Sequence, residues 1–102
     1  MSDTLPLTIE FTCTAAPVQA EGVVAGRRFY FRARGETWEF TIAERPESDP
    51  AALGPKDAAA GAAWYRSGLV PGGRFAASYL PLDQARSLIY ECARAYLNER
   101  AG

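Results

Sequence analysis

Hydrophobic and polar residues alternate along much of the first 43 residues. From Leu7 to Cys13 every second residue is apolar, the period of a strand with one buried face. Further runs cover residues 18–24, 27–34 and 37–43, the first of them more weakly patterned. The two-residue links Ala25-Gly26 and Gly35-Glu36 favour tight hairpin loops, because glycine tolerates the backbone angles that such loops require. The pattern therefore predicts an antiparallel meander of four or more strands.

Two-residue loops also fix how these strands pair. The predicted pairs on one face are Phe29–Ile42, Phe31–Phe40 and Ala33–Trp38. We expect this aromatic face to form the core, with the small residue Gly22 opposite Phe29 leaving room for the ring. The reverse face is polar, sets Arg32 across from Glu39, and is expected to be wet.

A helical period replaces the alternation near the end of the chain. The apolar positions are Ala85, Leu88, Ile89, Cys92, Ala93, Tyr96 and Leu97. Pro81 before this stripe and Asp83 in the first turn suit a helix start. Because the stripe must be buried and the aromatic sheet face is the large partner on offer, we expect the helix to cover that face. The predicted fold class is α+β, an antiparallel β-meander with one C-terminal amphipathic helix, in a single domain spanning residues 1–102.

The segment from Glu44 to Ala63 breaks both periods. Prolines at three positions predict a long loop with room for one short helical turn. Loops above roughly 12–15 residues are uncommon in compact domains and often functional, so the segment is a candidate binding element, the alternative being a tolerated insertion. Trp64-Tyr65 and the stretch from Arg74 to Leu80 are expected to add short edge strands.

Charge and composition narrow the classes of partner. Eleven basic and twelve acidic residues give a net charge of −1, so no global field attracts nucleic acid or an anionic membrane. The N-terminus lacks signal-peptide features, and no apolar run approaches the roughly 20 residues needed to span a bilayer. The expected location is the cytoplasm, where Cys13 and Cys92 are interpreted as small buried apolar residues.

The side chains offer little catalytic chemistry. Histidine is absent, which removes the usual general base and the usual metal ligand, and the two cysteines have no neighbouring ligand set. We therefore predict no metal, no cofactor and no enzymatic activity. Glu21 and Glu39, flanking Arg32 on the open face, could share acid and base work, but a cation between them is more typical of a surface charge ladder.

Two groups of residues are candidates for contact with a partner. The open sheet face offers Tyr30, Arg32 and Glu39. The acidic loop offers Glu44, Glu47, Asp49 and Asp57, which suit a basic protein, including one whose basic groove normally holds nucleic acid. A solubilising role is the alternative for the loop, and a homodimer through Trp64, Tyr65 or Tyr30 stays open.

Direct binding of nucleic acid is an alternative that rests on the segment from Arg27 to Arg34. It carries four arginines and three aromatic residues and no acid, the composition of a platform for single strands. Alternation sends Phe29 and Phe31 into the core and leaves Tyr30 as the exposed ring. The expectation is therefore that nucleic acid is not the partner.

Two stretches, GRRFYFRARGETW at residues 26–38 and YLPLDQAR at residues 79–86, resemble small uncharacterised phage and prophage proteins. They cover about a fifth of the chain and bring no catalytic or binding residues with them. In that setting a small protein without catalytic residues is similar to anti-CRISPR proteins, which act by occupying a surface of a host effector. The resemblance implies a binding protein that inhibits a host CRISPR complex through contact with a protein subunit; a structural protein of another role is the alternative.

Overall fold

The computed structural model describes residues 5–101 of the chain. Its elements are β1 (Leu7–Thr14), β2 (Val18–Val24), β3 (Arg27–Arg34), β4 (Thr37–Ala43), a 3₁₀ turn (Pro50–Ala52), α1 (Pro55–Ala59), β5 (Ala63–Leu69) and α2 (Leu82–Ala101). The strands form one antiparallel sheet in chain order, and α2 packs on one face of it. The predicted α+β meander with a C-terminal helix is confirmed. Within residues 5–101 no helix is long and apolar enough to cross a membrane.

The predicted hairpin register is confirmed at every pair. The β3–β4 partners are Phe29–Ile42, Phe31–Phe40, Arg32–Glu39 and Ala33–Trp38. Ala25 and Gly26 both have positive φ, 52° and 83°, which is the conformation of a two-residue hairpin loop whose twist matches the strands. The loop geometry therefore locks β2 and β3 in a register that separates the two faces cleanly.

Gly22 has no side chain and so leaves space for the core. It pairs with Phe29, and a Cβ at this position would come within 2.7 Å of the Phe29 ring and would also collide with the backbone oxygen of Thr8. A side chain there would push the ring or the neighbouring strand aside. The prediction that Gly22 leaves room for Phe29 is thus confirmed.

The core lies between the sheet and α2. Phe31, Phe40 and Ile42 are fully buried, and the stacked rings of Phe29 and Phe40 have centroids 5.0 Å apart. On the helix, the buried residues of the predicted stripe are Ala85, Ile89, Cys92, Ala93 and Tyr96, with Leu88 and Leu97 partly buried. The sheet and the helix therefore bury the faces that the two periods predicted.

Two sequence predictions for residues 63–80 have different outcomes. The strand expected at Trp64-Tyr65 exists and is longer, since β5 pairs with β4 along its whole length. The strand expected from Arg74 to Leu80 is wrong: these residues form turns, closed by bonds such as Leu80 N to Ala77 O at 3.2 Å. The positive φ angles of Gly72 and Gly73 turn the chain away from β5 before it can pair.

The second sheet face is less open than its polar residues indicated. The segment between β4 and β5 holds two short helical pieces, where one turn was expected, and the 3₁₀ turn contacts β3 and β4 while α1 contacts β5. Thr41 on this face is only 3% exposed, and Pro50 of the 3₁₀ turn is buried. The prediction of a wholly wet face is therefore wrong for its β4–β5 half.

Candidate functional site

A row of polar side chains crosses the uncovered half of this second face. The register aligns Glu10 of β1 with Glu21 of β2, and Glu21 with Tyr30 of β3. Glu10 and Glu21 are both exposed, and Tyr30 is half-buried. Because directly opposed residues of antiparallel strands have Cβ atoms about 5 Å apart, two like charges stand side by side here.

A groove of about 500 Å³ lies over this row. Strands β1–β3 form its floor, and Asp49, Pro50 and Ala51 form a wall above it. Its charged lining residues are Glu10, Glu21, Asp49 and Arg28. The groove therefore carries three carboxylates and one guanidinium beside one phenol ring.

Arg28 holds the wall in position. Its Nη2 donates hydrogen bonds to the backbone oxygens of Pro46, at 3.2 Å, and Ser48. Asp49 accepts from the backbone N–H of Ala51 at 3.0 Å, which starts the 3₁₀ turn. The cation of the groove is thus engaged by carbonyl groups, and the carboxylates keep most of their hydrogen-bonding capacity.

The surroundings of Tyr30 in the groove shift the pKa of its phenol. Burial raises the pKa of the Tyr30 phenol above its usual value, and Arg32 opposes that rise. The carboxylates of Glu21, Glu39 and Asp49 add to the rise. The hydroxyl therefore stays protonated at neutral pH, and an aromatic ring stands among negative charges.

Arg32 and Glu39, the other candidates on the sheet face, are engaged with each other. Their charged groups lie 3.5 Å apart, and each side chain is about 40% exposed. The Tyr65 hydroxyl donates to Glu39 at 2.7 Å. Burial, and after it this hydrogen bond, raises the pKa of Tyr65. This cluster continues the charge ladder along the face, next to the groove but outside its lining.

Glu44 lies elsewhere, beside the end of α2. Its Oε1 accepts from Arg27 Nε at 2.9 Å, from Arg100 Nη1 at 3.2 Å and from the Tyr96 hydroxyl at 3.2 Å. The hydrogen bond to Glu44 raises the pKa of Arg27, and burial raises that of Tyr96. Glu44 therefore joins the sheet to the helix, and the loop acids do not form one patch.

The remaining loop acids have separate positions. Asp57 accepts from the backbone N–H of Gly54 at 2.8 Å and so caps α1. Glu47 is exposed on the segment before the 3₁₀ turn. Of the seven predicted contact residues, the structure brings Tyr30, Arg32, Glu39 and Asp49 to the same face, and only Tyr30 and Asp49 line the groove.

The arginines of β3 are mostly occupied. Arg27 pairs with Glu44, Arg28 binds backbone carbonyls and Arg32 pairs with Glu39. Trp64, a candidate residue for a homodimer contact, donates from Nε1 to Glu99 at 2.9 Å and packs edge-on against Tyr96. These contacts occupy many of the groups through which the segment from Arg27 to Arg34 would bind nucleic acid and Trp64 would contact a second copy of the chain.

The two cysteines differ in environment. Cys92 is 2% exposed, and burial raises the pKa of its thiol to about 12. Cys13, at the edge strand, is only half-buried, so its interpretation as a buried residue is wrong. The bulge between Phe11 and Cys13 on this unshielded edge accounts for its exposure.

Sequence reasoning missed Glu10, which completes the row with Glu21. Extending the register from β2 to β1 could have found it, but the turn at residues 15–17 and the bulge obscure that pairing. Among residues 5–101, no group of three or more Cys, Asp or Glu side chains is arranged to hold a metal ion.

Comparisons of the chain with protein-family models, with curated proteins and with solved structures find no match.

Proposed function

We propose that this protein is a non-enzymatic binding protein that holds a basic segment of a partner protein in the groove over β1–β3. The groove itself carries the proposal: a volume of about 500 Å³, walled by the 3₁₀ turn, lies above a sheet surface whose lining includes Glu10, Glu21, Tyr30 and Asp49. Its position on a rigid sheet suits recognition, because the floor residues are fixed by strand pairing.

The charges of the groove select the partner. The three carboxylates of the groove outnumber its one guanidinium, that of Arg28, which is engaged by the carbonyls of the wall, so the lining keeps a net negative charge. An arginine or lysine side chain entering the groove would meet carboxylates and the ring of Tyr30, which attracts cations through its π face. The complementary ligand is therefore a cationic, extended segment.

The position of Glu10 directly opposite Glu21 also favours a cationic ligand. Like charges directly opposite on paired strands are destabilising by a few tenths of a kcal/mol, and a Glu–Lys or Glu–Thr pair would avoid that cost. A cation bound between the two carboxylates would remove the repulsion and add charge-assisted hydrogen bonds.

A titration maps the site directly. A short peptide of alternating arginine and glycine, added to isotope-labelled protein, is expected to shift the amide resonances of Glu10, Glu21 and Tyr30 most. The Glu21→Gln variant should bind at least about five-fold more weakly, whereas Glu91→Gln, which removes the same charge from the exposed side of α2, should bind as before. Shifts spread evenly over the surface, or equal losses in both variants, would count against the groove.

In its narrower form, the proposal is that the protein is of phage or prophage type and inhibits a nucleic-acid-guided defence complex. Effectors of that kind hold nucleic acid in positively charged channels, which supply basic segments of the kind that the groove fits. The resemblance of residues 26–38 and 79–86 to phage proteins is the second support.

Size-exclusion chromatography tests the narrower form. Mixed with purified CRISPR effector complexes, the wild-type protein is expected to co-elute with one of them and Glu21→Gln to elute alone. Should the peptide bind but no effector co-elute, the groove stands and the defence role is rejected.

A further inference from the structure

A second group of residues that could bind a ligand lies on the loop from residue 70 to residue 81. This loop is at the end of β3 opposite to the groove. Four hydrogen bonds tie this loop to the sheet end: Val70 N to Glu36 O at 2.8 Å, Ala77 N to Gly35 O at 2.9 Å, Ala16 N to Ser78 O at 2.7 Å, and Gly35 N to Ser78 Oγ at 2.8 Å. Ser78 is 8% exposed. The loop therefore has a fixed conformation and presents its outer side chains from a firm base.

Two aromatic side chains project from this loop. Phe75 is 60% exposed and Tyr79 is 66% exposed, a large fraction for rings on an anchored loop. A pocket of about 220 Å³ lies between them, lined by Ala16, Pro17, Arg34, Phe75, Ser78 and Tyr79. In the described part of the chain the close ring pairs involve other aromatic residues. The faces of both rings are thus free to stack on a ligand.

The charge at this pocket is positive. Arg34 is exposed and lines it, and Arg74 lies next to Phe75 in the chain. Across residues 5–101, neither arginine has an acidic group within 4.0 Å, and no carboxylate lines the pocket. The other arginines of β3 have partners, so Arg34 is the cation of that strand left to meet a ligand.

We infer that this pocket binds a nucleotide, with its base stacked on Phe75 and Tyr79 and its phosphate on Arg34. Aromatic side chains bind planar bases through their faces, and a guanidinium binds phosphate oxygens by paired hydrogen bonds. The Ser78 hydroxyl accepts from Gly35 and keeps its own O–H to donate to a base edge. A nucleotide joins a planar base to an anionic phosphate, so it complements each polar or aromatic residue that lines the pocket.

This site is separate from the groove. Arg28 and Arg34 stand six residues apart on β3, which at about 3.3 Å per residue is about 20 Å. The two sites therefore have independent tests, and the loss of one leaves the other standing. The nucleotide can come from a single strand or from a free mononucleotide, which share the base and phosphate chemistry.

Fluorescence anisotropy of a short labelled oligothymidylate, with thymidine monophosphate as competitor, tests the site in the 102-residue chain. We expect binding at about 50 mM salt that weakens towards about 200 mM, because phosphate contacts release counterions. Phe75→Ala and Tyr79→Ala should each weaken binding by about 5- to 100-fold, and Arg34→Gln should lower the salt dependence by about one counterion.

Matched controls stand on the exposed face of α2. Tyr90→Ala removes an exposed ring, and Arg94→Gln removes an exposed cation, so both should leave binding unchanged. Competition by the monophosphate identifies a free nucleotide as ligand; binding of the oligomer without such competition identifies a strand. The inference is overturned if neither probe binds at low salt, which would leave the rings to a protein partner, or if the controls weaken binding as much as Phe75→Ala does.

Discussion

The two faces of the sheet are built from alternate residues of the same strands, yet they are organised by different forces. On the α2 side, Phe31 and its neighbours are fully buried and the packing is apolar. On the other side, Tyr30 stands among carboxylates, and the segment between β4 and β5 covers only part of the surface. One face is covered by α2, whose hydrophobic period predicts that it packs there. The other face is only partly covered, by the segment between β4 and β5, which has no hydrophobic period.

This difference separates stability from binding within a single strand. Along β3, each odd-numbered position after Arg27 contributes to the core, and each even-numbered position faces the groove, the charge ladder or the loop pocket. Substitutions at neighbouring positions should therefore have different consequences, and the following predictions use that contrast, from the largest expected effect to the smallest.

Truncation on the two faces gives the largest contrast. Phe31→Ala should lower the free energy of unfolding by about 3–5 kcal/mol, because the ring is fully buried and its loss leaves a cavity. Tyr30→Ala, one residue away, should lower it by only about 1 kcal/mol. Urea unfolding followed by circular dichroism measures both, and equal losses would contradict the division between the faces.

Removal of the Glu44 carboxylate should have the next largest effect. Glu44→Gln weakens one ion pair to β3, and one ion pair and one hydrogen bond to α2. Because the partners are partly exposed, we expect a loss of about 1–2 kcal/mol. Glu47→Gln, on an exposed residue of the same segment, should change stability by less than about 0.5 kcal/mol. Thermal unfolding of the two variants tests whether Glu44 stabilises the fold. Similar stabilities of the two variants would make Glu44 a candidate contact residue again.

The buried thiol of Cys92 makes stability fall at alkaline pH. Its pKa of about 12 in the folded state lies above the value of 9.0 in an unperturbed thiol, so above about pH 9 the unfolded chain loses the proton first. Between about pH 8 and about pH 10 this should cost about 1 kcal/mol. The difference between wild type and Cys92→Ala isolates the thiol from Tyr30, Tyr65 and Tyr96, whose pKa values are also raised. A pH dependence identical in both proteins would exclude this contribution.

Relief of the opposed carboxylates should have the smallest effect, and in the stabilising direction. Glu21→Gln is expected to raise the free energy of unfolding by about 0.2–1 kcal/mol, because Glu10 then faces a neutral side chain. The gain should shrink in high salt and should be absent when Glu10 is already Gln. A stability loss at low salt would show that the two charges do not repel each other in the folded protein.

The sequence predicted one face of the molecule far better than the other. Strict alternation and two tight loops were sufficient for the β2–β3 and β3–β4 registers, and the helical period was sufficient for the stripe from Ala85 to Leu97. These patterns work because burial of apolar side chains imposes a period on the chain. The incomplete face has no such constraint.

Particular residues illustrate what lay beyond prediction. Glu10 meets Glu21 only after a bulge and a turn containing Pro17, which local patterns do not reveal. The sequence pattern places Glu44 with the loop acids, but the approach of Arg100 from the end of α2, 56 residues away, gives it another role. Phe75 lies in a stretch with strand-like composition that turns instead, because preceding glycines with positive φ redirect it. The cases of Glu10 and Glu44 depend on contacts between different elements, and that of Phe75 on backbone angles that its own pattern does not reveal.

The most direct test of the central claim measures stability and binding together on the Glu10→Gln, Glu21→Gln double variant. If the opposed carboxylates serve the ligand at the expense of the fold, the variant should be at least as stable as the wild type and should bind the arginine–glycine peptide at least about ten-fold more weakly. A double variant that keeps the wild-type affinity for the peptide would contradict the assignment of the groove as the binding site.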